Sequence, residues 1–274
     1  MSTMSSEGGK IFADTMNTVE MAEHRRKNGI VLLPLGCFEM HGLHAGMACD
    51  CFLAEAVCRV LAEEWDAVIL PGIPYTYPGA TARFPGTVCV LPRETMDYVI
   101  AVTKGILRNG FKRVVLVNLH GPSSMVVNLA LRTIFEETGE TPISFEADYN
   151  GMCQLVEKEW GHPHAEAALY LAALYICGRH GEFDPALKPG EVVGRTFPYE
   201  SFKNLVKHGV AMPYYHTRPE DHVGTNPGLT LDDAPRVAEI YRDVVRKSAK
   251  GLPEDYEAFQ EYTRKLIKDA PWDR

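Results

Sequence analysis

Four side chains that can bind metal ions lie close together near the start of the chain. Glu39, His41, His44 and Asp50 follow an apolar run at residues 29–35, which predicts a buried strand. Carboxylate oxygens and imidazole nitrogens are common ligands of Zn and Mn in proteins. Charged groups beside a buried strand are costly to bury unless a metal ion or a partner compensates them. The alternative is a polar loop in which Asp50 caps the next helix, and this segment alone leaves both interpretations open.

Two later segments carry further candidate ligands. His120 comes just after a second apolar run that ends at Asn118. A single histidine after a strand is more often structural than a ligand, unless the fold brings it to the two carboxylates of the first segment. His162, His164 and Glu166 lie at the start of a predicted helix. The favourable position of an acidic residue at a helix N-terminus explains Glu166 but leaves the two histidines unexplained.

Alternating strand and helix patterns predict how these side chains are positioned. The predicted strands are residues 30–35, 67–70, 113–118 and 143–147, and the predicted helices are residues 52–64, 93–109, 124–138 and 166–177. Strands and helices in alternation indicate an α/β fold, with a mainly parallel sheet covered on both faces. Three of the four strands run into loops rich in His, Asp, Glu or Asn, which is where such folds bind their ligands.

The ends of the chain are less informative. Residues 1–10 are predicted to be a disordered tail, and residues 11–274 a single domain without an internal repeat or linker. Repeated prolines predict that residues 184–226 form a surface excursion or a subunit contact. Two helices are predicted after it, a long amphipathic one at residues 231–250 and another at residues 254–268.

Composition disfavours several classes of partner. The 274 residues carry a net charge of −8 with a pI near 5.7, which argues against nucleic acid or an anionic membrane as the main partner. No apolar run reaches the roughly 20 residues of a membrane span. Seven cysteines without CxxC pairs, and an N-terminus without an apolar segment, favour reduced thiols and a cytoplasmic location. Cys37, Cys49 and Cys51 lie in the ligand-rich segment, but the carboxylates around them suit Zn or Mn without sulfur.

Four motifs, in this order, resemble the creatininase (creatinine amidohydrolase) family. That family carries LPxGxxExHGxH followed by D, then FPGT, NGHGGN and HAGExETS. The matching segments here are LPLGCFEMHGLH at residues 33–44 with Asp50, FPGT at residues 84–87, NLHGPS at residues 118–123 and HPHAE at residues 162–166. The resemblance covers about residues 20–180. It implies a three-layer α/β/α fold, two divalent metal ions (Zn or Mn), and hydrolysis of an amide or related C–N bond. It also implies a small-molecule substrate and a homo-oligomer, often a hexamer.

The resemblance also implies roles for individual residues. Glu39, Asp50 and His120 would hold one ion, and Asp50 would bridge to a second ion that also takes His41. His44 matches a family position near the site rather than a ligand. Water activated by the metals would attack the carbonyl carbon, and a histidine would pass a proton to the leaving nitrogen.

The chain also departs from the family pattern. Pro122 stands where creatinine-cleaving members place a Glu that completes the second metal site. The fourth motif aligns in two ways. With one deletion, His164 is the proton donor and Glu166 a catalytic metal ligand, whereas without it His164 takes the ligand position. The first alignment is favoured because it retains both an acid and an oxygen ligand, with His162 as a further catalytic candidate. Trp160 either matches the spacing of an aromatic residue over the substrate or packs under the helix.

Three functions fit these observations. The leading hypothesis is a metal-dependent amidohydrolase acting on an amide, a cyclic amide or a formamide. Phosphoester hydrolysis also uses paired metals, but the motifs lack a glycine-rich phosphate-binding loop and an Arg cluster. A non-catalytic metal- or ligand-binding protein that retains the fold is the third, because of Pro122 and the altered fourth motif. Metal stoichiometry separates catalysis, with two ions, from a binding role, with one or none.

Overall fold

A parallel sheet forms the centre of the fold. The computed structural model describes residues 10–161, 166–186, 200–222, 224, 226 and 228–269, and four strands lie in these ranges. They are β1 (Ile30–Leu35), β2 (Val68–Ile69), β3 (Arg113–Asn118) and β4 (Ile143–Phe145), in the spatial order β2-β1-β3-β4. All adjacent pairs are parallel, and Leu35 pairs with Asn118. The loops that follow β1 and β3 therefore leave the same edge of the sheet side by side.

Helices cover both faces of this sheet. In the described ranges they are α1 (Thr18–Lys27), α2 (Cys49–Trp65), α3 (Pro92–Arg108), α4 (Gly121–Thr138), α5 (Tyr149–Trp160), α6 (Glu166–Ile176), α7 (Glu200–Lys207), α8 (Ala234–Ser248) and α9 (Leu252–Asp269). Leu32 and Val115 pack with α2, α6 and α8, whereas Val31 and Leu33 pack with α3 and α4. Alternate side chains of one strand thus enter two separate cores. The predicted three-layer α/β/α fold with a parallel sheet is confirmed.

Three helices begin at residues predicted for the site. Helix α2 places Asp50 in its first turn, α4 starts directly after His120, and α6 starts at Glu166. The positive end of each helix dipole therefore lies next to the site, where it stabilises negative charge. Each of these helices buries several residues in the core, so the backbone at its first residues is held in a fixed position.

The predicted strands agree well with the structure, but several helices were missed. The bounds of β1 and β3 coincide with the predicted ones, and β2 and β4 are shorter. Helices α1 and α5 were not predicted, and α7 lies within the segment predicted as a surface excursion. Helix α1 buries none of its residues and so has no apolar stripe, although Asn17 and Glu20 form a capping box at its start. The helix predicted at residues 231–250 begins with a 3₁₀ turn, Leu231–Asp233.

The chain termini are only partly described. Residues 1–9 of the predicted tail lie outside the described residues, whereas Lys10 forms an ion pair with Glu20 at 2.9 Å. Among the helices that are described, none combines the length and the apolar character needed to cross a bilayer.

Candidate metal centre

Glu39 lies at the centre of the candidate site, in the loop after β1. Its backbone N–H donates to the Met47 carbonyl at 2.9 Å, which closes the loop onto the start of α2. The hydroxyl of Thr81 donates to Glu39 Oε2, and His120 Nε2 lies 3.0 Å from Glu39 Oε1. The residue is only 3% exposed. A carboxylate buried this deeply requires compensation by positive charge or by several donors.

His41 points its second ring nitrogen at Asp50. Nδ1 lies 3.1 Å from the Glu39 carbonyl oxygen, which can only accept, so Nδ1 carries the proton. In the neutral ring, Nε2 then holds a lone pair, and it lies 3.1 Å from Asp50 Oδ1. The other oxygen, Asp50 Oδ2, is buried and has no hydrogen-bond partner among the described residues. When Nε2 is protonated the ring forms an ion pair with Asp50, and a metal ion can take the place of that proton.

His120 repeats this arrangement through a chain of hydroxyls. Its Nδ1 lies 2.8 Å from Ser123 Oγ; Ser123 donates to Thr76 Oγ1 at 3.0 Å, and Thr76 donates to the Gly36 carbonyl at 2.8 Å. Because the chain ends on a carbonyl, each hydroxyl proton points away from His120, and Nδ1 must donate. In the neutral ring, His120 Nε2 therefore presents its lone pair to Glu39, and this contact lacks hydrogen-bond geometry. Fixing the tautomer in this way is typical of metal-binding histidines.

The electrostatics of the site favour bound positive charge. Burial alone lowers the pKa of the His41 imidazole, but Asp50, with Glu166 and Glu39, raises it to about 10. Burial also opposes the shift at His120, yet Asp50 and Glu39 raise its pKa above the ordinary value. The buried carboxylates thus attract a cation, and the carboxylate and imidazole donors suit Zn or Mn. The residues present fit a divalent metal ion.

Glu166 lies at the start of α6 and pairs with His44. His44 Nε2 donates to Glu166 Oε2 at 2.6 Å, and the Tyr149 hydroxyl donates to Glu166 Oε1 at 3.2 Å. Burial alone raises the pKa of Glu166, but the His44 hydrogen bond and the nearby His222 and His41 lower it to about 2. Glu166 is therefore an ionised carboxylate next to the other candidate ligands. This short hydrogen bond from His44 fixes the position of the Glu166 carboxylate.

Two histidines near the site were not predicted from the sequence. The His222 ring lies 4.9 Å from the His41 ring and 5.9 Å from the His44 ring, and His216 lies 6.1 Å from His222. Burial lowers the pKa of His222 to about 4, with Glu166 opposing the shift. Both histidines belong to the proline-rich segment that was interpreted as a surface excursion. Two histidines within seven residues were the available signal, but spacing alone did not connect them to the first motif.

Three groups of side chains bring potential ligand atoms within 4.8 Å of one another. They are Cys37, Glu39 and His120; Glu39, His41 and His222; and His44, Glu166 and His222. The structure thus brings together all predicted metal ligands that it describes, since Asp50 adjoins His41. Burial and the neighbouring carboxylates raise the pKa of the Cys37 thiol, so the thiol is protonated in the absence of a metal ion. His162 and His164 lie outside the described residues.

An open cleft of about 900 Å³ gives access to these side chains. Glu39, Asp50, Glu146 and Glu166 contribute carboxylates to its lining. Its apolar lining includes Pro78, Leu119, Pro122, Met125, Met212 and Tyr214. Trp160, the last residue of α5, packs partly buried against the core, which favours its structural interpretation.

Comparison with known proteins identifies the family. The family model for creatininase, described as creatinine amidohydrolase, matches residues 14–181, more than half of the chain. The chain belongs to the creatininase family. The match includes the first three motifs and the start of α6, and therefore the three segments that form the centre described above.

Characterised relatives of this creatininase-family chain are hydrolases by name. It is 34% identical over 114 residues to creatinine amidohydrolase of Pseudomonas putida, covering 38% of this chain and 44% of that protein. It is 27% identical over 117 residues to 3-dehydro-scyllo-inosose hydrolase of Thermotoga maritima, covering 42% and 38%. It is 32% identical over 102 residues to the mycofactocin precursor peptide peptidase of Mycolicibacterium smegmatis, covering 34% and 39%. The chain spans less than half the length of each.

Solved creatininase structures share the fold. A creatinine amidohydrolase (creatininase) crystal structure superposes with a TM-score of 0.69 at 21% identity, covering 88% of this chain and 97% of the other. A creatininase structure named for Mn gives 0.67 at 22% identity, with 88% and 98% covered. A mutant creatininase of Zn-Zn type gives 0.67 at 18% identity, with 89% and 98% covered. At these identities, the likeness shows the fold alone.

Proposed function

We propose that the protein is a metal-dependent amidohydrolase that cleaves the C–N bond of an amide, cyclic amide or formamide in a small molecule. The observation that carries this proposal is the orientation of His41 and His120. Each imidazole donates through Nδ1 to a fixed acceptor and directs Nε2 at a buried carboxylate. Without metal a proton on Nε2 would join each pair, and a divalent ion can replace that proton and bind both groups. Two divalent ions, Zn or Mn, match the donor atoms.

The proposed ligands divide between two positions. Glu39, Asp50 and His120 would hold one ion, and His41, Asp50 and Glu166 the other. When bound, the ions supply Lewis acidity, which polarises a carbonyl and lowers the pKa of water. Relatives named amidohydrolase and peptidase, and creatininase structures named for Mn and Zn, support this choice.

The remaining residues prepare the site for this chemistry. Thr81 and the Ser123–Thr76 chain orient Glu39 and His120, so the ligand geometry is set before substrate arrives. His164 remains the proposed donor of a proton to the leaving nitrogen.

The charges of the cleft suit a neutral substrate. Among the described lining residues, four carboxylates face the cleft, and their charges equal those of two divalent ions. The amide hypothesis is preferred to a phosphatase because the motifs lack a glycine-rich phosphate-binding loop and an Arg cluster, and because relatives are named amidohydrolase and peptidase.

Metal analysis with an amide screen tests the proposal. The wild type should bind two Zn or Mn ions per chain and hydrolyse a member of a panel of amides, cyclic amides and formamides. Glu39→Gln should lose an ion and the activity. Glu146→Gln, which alters a cleft carboxylate outside the proposed ligand set, should keep both ions. Two ions without any hydrolysis would favour the non-catalytic binding protein, and a chain that binds no ion after metal resupply would refute the proposal.

The homo-oligomer, a hexamer by resemblance, is a further prediction that light scattering can test.

A further inference from the structure

His222 lies between the two halves of the candidate centre. Its potential ligand atom lies within 4.8 Å of those of Glu39 and His41, and also within 4.8 Å of those of His44 and Glu166. Among the described residues, no other histidine belongs to two such groups. His222 Nδ1 lies 3.6 Å from Glu166 Oε2, too far for a good hydrogen bond but suitable for two ligands of one ion.

Hydrogen bonds fix the short turn that precedes His222. His222 follows the 3₁₀ turn Pro219–Asp221, and its N–H donates to the Pro219 carbonyl at 3.2 Å. Asp221, only 2% exposed, accepts from the Thr217 N–H and hydroxyl and from the Arg218 N–H and guanidinium, at 2.7–3.1 Å. A buried carboxylate with four donors fixes the turn, so His222 enters the site from a rigid base.

The proposed second ion needs a further ligand from the chain. Glu166 Oε2 is already engaged by His44 at 2.6 Å. Pro122, two residues after His120, lines the cleft but has no side-chain donor atom. Asp50 is shared with the first ion and both Glu166 oxygens accept hydrogen bonds, so His41 is the one ligand that the second ion would have to itself, whereas a catalytic Zn site usually has three protein ligands.

We propose that His222 is a ligand of the second metal ion, together with His41, Asp50 and Glu166. This inference rests on the proposed two-metal function. His222 lies about a hundred residues after Pro122 in the sequence. Its imidazole nitrogen would occupy the ligand position at which creatinine-cleaving relatives are expected to use a carboxylate.

Metal stoichiometry and affinity test the proposal directly. Ions per chain are measured by elemental analysis after gel filtration, and the affinity of each ion is measured by competition with a chromophoric chelator. His222→Gln should retain the first ion and bind the second at least about 10–100-fold more weakly, since even outer-shell changes cost that much. His216→Gln, a histidine of the same cleft outside all three ligand groups, should bind both ions as the wild type does.

A rescue variant separates a lost ligand from a damaged fold. Pro122→Glu combined with His222→Gln offers a carboxylate from the start of α4 and should recover much of the second-ion affinity. Unaltered binding of both ions by His222→Gln would overturn the inference while leaving the two-metal proposal intact. Loss of both ions without rescue would also overturn it, because His222 would then support the whole centre. A wild type that binds fewer than two ions would instead refute the proposed function.

Discussion

The substitution Gly224→Ala tests how closely residue 224 packs against His44 and Glu166. Gly224 adopts a φ of +144°, and a Cβ there would overlap His44 Nε2 and lie 2.8 Å from Glu166 Oε2. Both partners are buried and hydrogen-bonded to each other at 2.6 Å. Neither can move aside without breaking that bond, so the backbone at residue 224 must retreat instead.

Gly228 provides the matched control. It also has a positive φ, +86°, but a Cβ there would meet nothing within 4 Å. Both alanine variants incur a backbone cost of about 1–3 kcal/mol, because residues with a side chain rarely adopt a positive φ. Only Gly224→Ala adds a steric cost, which for overpacking is about 1–3 kcal/mol. For a chain of this size each kcal/mol lowers the Tm by about 2–4 °C. Gly224→Ala should therefore melt about 2–12 °C below Gly228→Ala.

Metal affinity provides the second readout. Retreat of residue 224 carries His222 and disturbs Glu166, so the second ion should bind at least about tenfold more weakly, since displacement of about 1 Å has large effects at such sites. Gly228→Ala should keep wild-type affinity for both ions. Differential scanning fluorimetry and chelator competition measure the two effects. Equal melting temperatures and equal affinities for the two variants would refute the close packing of Gly224 on the His44–Glu166 pair.

Three further predictions follow from the same structure. Chelation should lower the Tm, and Zn or Mn should restore it, because each ion at about 100 times its Kd adds about 2.7 kcal/mol; an unchanged Tm would contradict a buried metal centre. Ser123→Ala removes the acceptor that orients His120 and should weaken metal binding about 10–100-fold in chelator competition, whereas Ser124→Ala, which contacts Glu146 instead, should not. Tyr241→Phe removes a hydrogen bond to the Leu53 carbonyl in the core and should cost about 1 kcal/mol in urea unfolding with an unchanged m-value.

The parts of the fold that were predictable are those with strong local signals. Strands β1 and β3 are buried on both faces, so each is a continuous apolar run whose ends are visible in the sequence. Glu39, His41 and Asp50 follow one of these runs, and His120 follows the other. Because parallel strands end at one edge, their convergence also follows from the predicted topology.

The unpredicted parts depend on contacts between distant segments. His222 reaches the site only because Asp221 fixes a short turn, and the nearest predicted ligand, Glu166, lies more than fifty residues earlier. The hydroxyl chain from His120 to Thr76 is likewise invisible in the sequence, because Thr76 has no motif around it. Helices α1 and α5 are exceptions, because local capping residues at their starts, Asn17 with Glu20 and Asp148, were available as signals and were missed.

The altered motifs do not by themselves indicate a lost activity. The proposed first metal position uses Glu39 and His120, whose partners Thr81, Ser123 and Thr76 are all buried, so this half is rigid before any ion binds. The proposed second position draws on α6 and on the turn at residues 219–221, which lie far from the first motif in sequence. The absence of a carboxylate at residue 122 therefore concerns the proposed second position alone, where we infer that His222 supplies a ligand. An exchange of oxygen for nitrogen there is expected to change metal preference, because the two donor types suit different ions.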